Sequence, residues 1–181
     1  RLTREVLKDP VRIQINHTKP APTIGHSLYS VEKADKTRLL QKLIQQEKMV
    51  SSLVFTRTKH KAKSLALVLQ RKGFKAISMQ GNLSQQKRQQ ALEGFRNGSY
   101  TIMVATDIAA RGIDVDGISH VINYDVPDTV ETYTHRTGRT GRAQKKGEAI
   151  TFASRDERKQ MLVIERKFDM AMKGSRTTDI V

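Results

Sequence analysis

The stretch SSLVFTRTKHKAKSLALVLQRKGFKAISM, residues 51–79, decides the fold class because its hydrophobic period changes twice. It opens with the apolar, β-branched run 51–56, which is typical of a buried strand. Apolar residues then recur at the spacing of one helix face, namely Ala62, Leu65, Ala66 and Leu69. Gly73 predicts the end of that helix, and KAISM (75–79) predicts a second strand. The stretch therefore predicts a strand–helix–strand unit with parallel strands.

The same alternation continues along the chain. Further strands are predicted at 100–106, 119–125 and 147–153. Helices are predicted from the Ser84 cap to about residue 97, near 129–137, and from Ser154 to about residue 170. The pairs Asp128–Glu131 and Ser154–Glu157 have the spacing of capping boxes. Strands separated by single helices predict a parallel sheet with helices on both faces, whose ligands collect beyond the carboxyl ends of the strands.

The two ends of the chain depart from this pattern. Residues 1–25 are expected to combine the end of a preceding domain, with a strand at 9–16, and a proline-containing linker at 17–25. The chain begins without Met, which suggests a piece of a longer protein. HSLYSV (26–31) alternates as an edge strand does. The predicted domain covers 26–172, and the tail 173–181 has no periodic pattern, so no regular structure is predicted there.

Composition narrows the class of function. The net charge is +15, from 33 Lys and Arg against 18 Asp and Glu. Such an excess favours nucleic acid as partner, ahead of anionic lipid or a merely basic surface. The chain has no cysteine, which excludes disulfides and fits a reducing cytosol. Apolar runs are too short to span a bilayer, and the histidines lack metal-ligand spacing, so a cytoplasmic protein without membrane or metal site of its own is expected.

The segment HRTGRTGR, residues 135–142, is the densest group of cations. Arg139 and Arg142 are three residues apart, so at a helix or its end they share a face and could hold oxygens of one phosphate group. Gly138 and Gly141 remove side chains beside them, which lets a ligand approach and helps to end the helix after residue 137. A solvated basic turn is the alternative, but the full pattern favours an anion site.

VATDIAARGID, residues 104–114, follows a predicted strand. Thr106 and Asp107 therefore lie at the carboxyl end of the sheet. Asp107 is either the N-cap of the next helical turn or a functional carboxylate. Asp114 follows a flexible Arg–Gly pair, where it could accept hydrogen bonds from a ribose.

Two further segments place polar residues at helix N-termini. In QGNLSQQKR (80–88), Gln85 and Arg88 lie on one helix face, beside main-chain N–H groups that favour a phosphate. Thr58 and Lys59 open the preceding helix with the same geometry. Taken alone, each segment is equally compatible with a solvated helix face.

The sequence lacks the machinery to hydrolyse a nucleotide by itself. Gly112 and Gly117 have the spacing of a phosphate-binding loop, but Ile118 follows instead of Lys. No DExD or DExH run follows an apolar strand. An arginine cluster without a phosphate cradle matches an arginine finger that is supplied to a second domain. We therefore predict that the chain alone is inactive.

Together, these segments resemble the C-terminal RecA-like domain of DEAD-box ATP-dependent RNA helicases of bacterial type. Residues 53–59, 84–88, 104–114 and 135–142 are similar to motifs IV, IVa, V and VI, in the order and spacing of the family. The resemblance runs from about residue 26 to 153. His135 at the head of motif VI favours the DEAD-box group over DEAH helicases, which carry Gln there.

The resemblance implies a role for each motif. Arg139 and Arg142 would be arginine fingers facing the γ-phosphate of ATP, whose Mg²⁺ is held by the N-terminal RecA-like domain. Gly112 and Asp114 would approach the nucleotide. The network that couples the two domains would include Arg111, His135 and Arg136. The backbone of one RNA strand would contact Thr58, Gly81, Arg88 and Thr106, with little sequence preference. Closure of the two domains would locally unwind or remodel RNA duplexes.

Two alternatives remain open. One is a DNA-directed helicase or chromatin-remodelling motor with the same fold, against which His135 and the run ARGID (110–114) argue. The other is a stand-alone RNA-binding module or regulator without catalysis. No base-reading module is present, so no particular RNA is predicted.

Overall fold

The computed structural model describes residues 21–47, 49–111, 113, 115–142, 145–169 and 172–176. The strands are β1 (Ile24–Ser30), β2 (Ser52–Phe55), β3 (Ala76–Met79), β4 (Ile102–Ala105), β5 (His120–Asn123), β6 (Gly147–Ala153) and β7 (Lys173–Arg176). The helices are α1 (Lys36–Gln46), α2 (Lys59–Arg71), α3 (Gln85–Arg96), α4 (Asp107–Ala110), α5 (Val130–Thr137) and α6 (Arg158–Phe168). The strand predicted at 9–16 lies outside the described residues.

The seven strands form one sheet in the order β3-β4-β2-β5-β6-β1-β7, and every described pairing is parallel. Leu53 of β2 lies opposite Met103 of β4 and Val121 of β5, so these side chains share a face. Val54 belongs to the opposite face. Helices α1 and α2 cover the face of Val54, and α3 to α6 cover the face of Leu53. The predicted parallel sheet with helices on both faces is confirmed.

The helix starts follow from their capping residues. Thr58 accepts a hydrogen bond from the N–H of Lys61 (3.2 Å) and opens α2, and Ser84 accepts from the N–H of Lys87 (3.3 Å) and opens α3. Each cap satisfies a main-chain donor that the first helical turn leaves unpaired. The apolar face predicted for α2 is buried against the sheet. These two helix starts therefore lie directly after the carboxyl ends of β2 and β3.

Two expectations about the sheet were wrong. Segment 26–31 was predicted as an edge strand, but β1 lies between β6 and β7, where Leu28 pairs with Thr151 and Gly174. The tail from residue 173 was expected to lack regular structure, but 173–176 form β7. The segment KGSR has no apolar residue, so it shows no apolar periodicity. Strand pairing is made by main-chain groups, which a search for hydrophobic patterns does not detect.

The sequence also failed to predict α1, which lies in the polar stretch before β2. Leu39, Leu40 and Leu43 nevertheless give this helix a buried stripe. At its first residue, Lys36 is 1% exposed and its ammonium donates to the carboxylate of Glu157 at 2.8 Å. A buried lysine at a helix start is missed when charged residues are assigned to the surface.

The two predicted capping boxes differ from the structure in detail. Helix α5 is capped by Thr129, which accepts from the N–H of Thr132 at 3.0 Å, whereas Asp128 accepts from the guanidinium of Arg57. The Glu157 carboxylate does accept from the N–H and hydroxyl of Ser154, both at 2.9 Å, but α6 begins later, at Arg158. None of the described helices is long and apolar enough to cross a membrane.

Candidate functional site

Arg136 on α5 is the best-connected side chain of the candidate site, and it is 3% exposed. Its Nε and Nη2 donate to the two carboxylate oxygens of Asp107 at 2.7 and 2.8 Å. Its Nη1 donates to Oδ1 of Asn123 (3.1 Å) and to the main-chain oxygen of Asp125 (2.8 Å). The guanidinium also lies 5.0 Å from the centre of the Phe55 ring. A buried charge needs this degree of pairing, and Arg136 thereby fixes α5 to the ends of β2, β4 and β5.

The interpretation of Asp107 as an N-cap is wrong. Thr106 occupies the cap position of α4 and makes no side-chain capping bond, and Asp107 is the first helical residue. Its carboxylate instead holds Arg136, which lies 29 residues further along the chain. Local spacing gave no sign of this partner, because the contact depends on α5 packing beside α4.

Asp125 organises a second group of contacts that the sequence did not single out. Its carboxylate accepts from Lys61 Nζ at 2.7 Å and from the main-chain N–H of Arg57 at 2.9 Å. The Lys61 ammonium lies 5.0 Å from the centre of the Tyr124 ring. Asp125 is the last residue of the strand predicted at 119–125, so its position at a carboxyl end of the sheet was the available signal. These contacts join the start of α2 to the end of β5.

The arginine turn, residues 138–142, follows α5. The helix ends at Thr137 with Gly138 as its C-cap, as predicted. Both arginines of the turn are half-buried: Arg139 donates to the main-chain oxygen of Ile113 at 2.9 Å, and Arg142 donates to that of Gly138 at 3.1 Å. The turn therefore has defined contacts and is not a freely solvated basic loop.

The arginine turn does not lie beyond the carboxyl ends of the strands, where the ligands of a parallel sheet were expected to collect. Helix α5 starts after β5 and runs back along the sheet. Its eight residues span about 12 Å, which is comparable to the length of a four-residue strand, roughly 13 Å. Its end therefore lies near the amino ends of the strands, where Thr140 donates to the main-chain oxygen of Ile118, two residues before β5. A helix that connects parallel strands must cross the sheet in this direction.

Two clefts adjoin α5. One, of about 390 Å³, is lined by Arg111, His135, Arg136 and Arg139 together with Phe55. The other, of about 570 Å³, is lined by His135, Arg139 and Arg142 together with Ala21 and Ile24. His135 and Arg139 line both clefts. The structure thus brings together five residues that were singled out from motifs V and VI, whereas Gly112 and Asp114 lie outside the described residues.

The four candidate RNA contacts form a separate group. Thr58, Gly81 and Thr106 follow β2, β3 and β4, which are neighbours in the sheet, and Arg88 lies in the first turns of α3. A cleft of about 510 Å³ between the starts of α2 and α3 is lined by three lysines, Lys59, Lys63 and Lys87. This group occupies the carboxyl edge of the sheet, away from Arg142.

Buried titratable groups hold α5 and α6 against the sheet. The hydroxyl oxygen of Tyr133 on α5 lies 2.7 Å from Nδ1 of His26 on β1. Burial lowers the pKa of His26 to about 4, and burial together with the charge of Glu165 raises the pKa of Tyr133. Burial acts to raise the pKa of Glu157, but hydrogen bonds from Lys36 and Ser154 outweigh it and hold that pKa below its usual value. The described residues contain no group of three metal-ligating side chains.

The fold and the arrangement of these groups define a helicase domain. The helicase conserved C-terminal domain matches residues 35–144, and the chain belongs to that family. It is 40% identical over 174 residues to the ATP-dependent RNA helicase DeaD of Buchnera aphidicola, covering 95% of this chain and 29% of that protein. It is 42% identical over 168 residues to the RNA helicase CrhR of Synechocystis, covering 92% and 34%. The chain thus spans about a third of the length of these curated relatives.

Solved structures of DEAD-box proteins share the fold. E. coli SrmB, bound to regulator of ribonuclease activity A, superposes with a TM-score of 0.81 at 34% identity, over 87% of this chain and 93% of that one. S. cerevisiae Dbp5, bound to RNA and ADP BeF3, superposes with a TM-score of 0.88 at 29% identity, over 98% of this chain and 48% of that one. The resemblance to a DEAD-box C-terminal domain and the RecA-like fold are confirmed. The roles of individual residues stay predictions.

Proposed function

We propose that this chain is the C-terminal half of an ATP-dependent RNA helicase that locally unwinds or remodels RNA duplexes. In this proposal the segment 1–25 joins it to a P-loop domain, the helicase domain is 26–172, and 173–181 is its tail. The P-loop domain binds ATP and Mg²⁺, and the chain described here adds Arg139 and Arg142 to that site. The relatives named above, an ATP-dependent RNA helicase and an RNA helicase, support this class of activity.

The observation that carries the proposal is the way in which α5 supports the arginine turn. Arg136 is 3% exposed and its guanidinium donates four hydrogen bonds inside the domain, so α5 is a firm support. Arg139 and Arg142, just beyond the helix end, line an open cleft beside it. The sequence contains no phosphate cradle of its own. Rigid guanidinium groups without a local phosphate site suit a transition state that assembles on a second domain.

The proposed RNA contacts have a different physical basis. Thr58, Gly81 and Thr106 lie at the ends of adjacent strands, which are about 4.8 Å apart. Such a row extends along the edge of the sheet, so it can contact several phosphates of one strand rather than a single compact nucleotide. Arg88 and the lysines between α2 and α3 add positive charge beside it. Contacts of this kind read the backbone and give little sequence preference.

Substitutions in the full-length protein test the proposal. Arg139→Ala or Arg142→Ala should lower the RNA-stimulated rate of ATP hydrolysis by roughly 10³-fold or more, while RNA affinity changes little. Arg88→Ala should weaken RNA binding and flatten its salt dependence by about one phosphate contact. Arg71→Ala, at the exposed end of α2, is the matched control for loss of one arginine. Wild-type turnover in both arginine-turn variants would contradict the proposed role.

The two alternatives give different results in the same assay. Stimulation of ATP hydrolysis by DNA but not by RNA would identify a DNA-directed motor. RNA binding without any ATP hydrolysis by the full-length protein would identify a binding module. The isolated chain should bind RNA with steep salt dependence and hydrolyse no ATP.

A further inference from the structure

Three contacts immobilise the arginine turn. Thr140, between the two arginines, is 2% exposed, and its hydroxyl donates to the main-chain oxygen of Ile118 at 2.5 Å. Gly147, the first residue of β6, lies against the other side of the turn. A Cβ at Gly147 would meet the Thr140 side chain and would lie 2.5 Å from the main-chain nitrogen of Gly141. The turn is therefore held between β6 and the segment that leads into β5.

The third contact comes from Thr23, which lies outside every motif. Its hydroxyl donates to the main-chain oxygen of Gly141 at 3.0 Å, across 118 positions of sequence. Its main-chain oxygen accepts from the N–H of Gly147, also at 3.0 Å. Thr23 therefore binds both the arginine turn and the glycine that supports it.

Close packing reinforces this contact. A Cβ at Gly141 would lie 2.6 Å from Cγ1 of Ile24 and 3.0 Å from the Thr23 hydroxyl oxygen, so only glycine permits the approach. Gly141 also has a φ of +68°, a conformation that L side chains rarely adopt. Ala21 and Ile24 then form one wall of the cleft that Arg139 and Arg142 line. The segment 21–24 is thus part of the surroundings of the arginine pair.

We propose that Thr23 is a positioning residue for Arg139 and Arg142. It acts through Gly141, which lies between the two arginines in the sequence and whose main-chain oxygen it holds. This inference rests on the proposed function, because it assumes that the placement of the arginines limits the rate of ATP hydrolysis. Thr23, which lies just ahead of β1 where the chain enters the domain, thereby influences catalysis without contacting the nucleotide.

The test is Thr23→Val in the full-length protein, which keeps the shape and removes the donor. The RNA-stimulated kcat should fall about 10- to 100-fold, as for a small misplacement of a reacting group. The KM for ATP and the affinity for RNA should stay within about twofold of wild type, since the arginines act mainly in the transition state. Thr23→Ser keeps the hydroxyl and should restore kcat.

Thr37→Val is the matched control. Its hydroxyl bonds to the Tyr124 hydroxyl at 2.9 Å in another part of the domain, so a comparable hydrogen bond is lost far from the turn. Urea unfolding of all three variants checks that they fold. A kcat for Thr23→Val equal to that of Thr37→Val would overturn the inference, and so would a failure of Thr23→Ser to restore the rate.

Comparison with the arginine variants separates this inference from the proposed function. Normal turnover after Arg139→Ala and Arg142→Ala would refute the arginine-finger role itself. Large losses in those variants, with none in Thr23→Val, would refute the role of Thr23 alone. Adding Thr23→Val to the double variant Arg139→Ala with Arg142→Ala should cause little further loss, because no arginine is then left for Thr23 to position. A full additional loss would show that Thr23 acts elsewhere.

Discussion

Replacing Lys36 by methionine should destabilise the domain strongly, because Lys36 fastens α1 to the ends of two strands and to α6. Its ammonium donates to the main-chain oxygens of Tyr124 (3.0 Å) and Phe152 (3.1 Å) and to the carboxylate of Glu157 (2.8 Å). All three ammonium hydrogens are used. The Lys36 side chain is 2% exposed and that of Glu157 is 15% exposed, so solvent cannot replace the missing partner.

The magnitude follows from what remains after the substitution. Removing one partner of a buried ion pair costs about 3–5 kcal/mol, because the other charge stays buried. Glu157 keeps its two hydrogen bonds from Ser154, which places the expected loss near the lower limit, about 3 kcal/mol. Methionine fills nearly the same volume, so a cavity contributes little. With a slope of about 2 kcal/mol per molar urea, the unfolding midpoint should fall by about 1.5 M.

Urea unfolding of this chain, followed by circular dichroism, measures the effect. Lys33→Met is the matched control, since Lys33 pairs with Asp156 at 3.5 Å with both side chains largely exposed. Such a surface pair contributes less than about 1 kcal/mol. The double variant Lys36→Met with Glu157→Gln should recover part of the loss, because no charge is then left unpaired. A loss of unfolding free energy in Lys36→Met no larger than that in Lys33→Met would refute this role of the buried ion pair.

Three further outcomes are expected. Because burial lowers the pKa of His26 from 6.5 to about 4, the unfolded state binds more protons between these values, and stability should fall by on the order of 2–3 kcal/mol as the pH drops through that range. His26→Gln should flatten this part of the pH profile in urea unfolding. Asp107→Asn leaves the buried guanidinium of Arg136 with one neutral acceptor in place of two charged ones and should cost about 2 kcal/mol by the same measurement. Gly147→Ala should destabilise the domain by about 1–3 kcal/mol through overpacking, and in the full-length protein it should also lower ATP turnover by displacing the arginine turn.

The parts of the fold that the sequence predicted are those where burial repeats regularly. In α2 the apolar residues recur on one face, and β2, β4 and β5 are short apolar runs, so each element shows its own period. By contrast, β7 has no apolar residue and pairs with β1 through main-chain groups, and α1 opens with a buried lysine, so neither has the apolar pattern on which the predictions relied. Helix α1 does bury Leu39, Leu40 and Leu43, but the polar residues around them hid that stripe in the sequence.

The sequence indicated candidate residues for the site but not the contacts between their side chains. The family resemblance placed Arg111, His135 and Arg136 in one network, and in the structure these three residues line one cleft. Their role in coupling the domains stays a prediction. The partner of Asp107 could not be found from spacing, because the contact joins α4 to α5. The same holds for Thr23, whose bond to Gly141 depends on the parallel pairing of β1 with β6.

The separation of the two proposed sites has a consequence for coupling within the domain. The carboxyl edge of the sheet, with Thr58, and the arginine turn are at opposite ends of α5. Lys61 and Arg57 bind the Asp125 carboxylate, and the main-chain oxygen of Asp125 binds Arg136, so a short polar path joins the start of α2 to α5. The bonds of this path are 2.7–2.9 Å long and the Asp125 side chain is 8% exposed, so the path connects the start of α2 firmly to α5. In the proposed function, any change in the distance between the arginines and a nucleotide on a second domain therefore arises from movement of the whole domain.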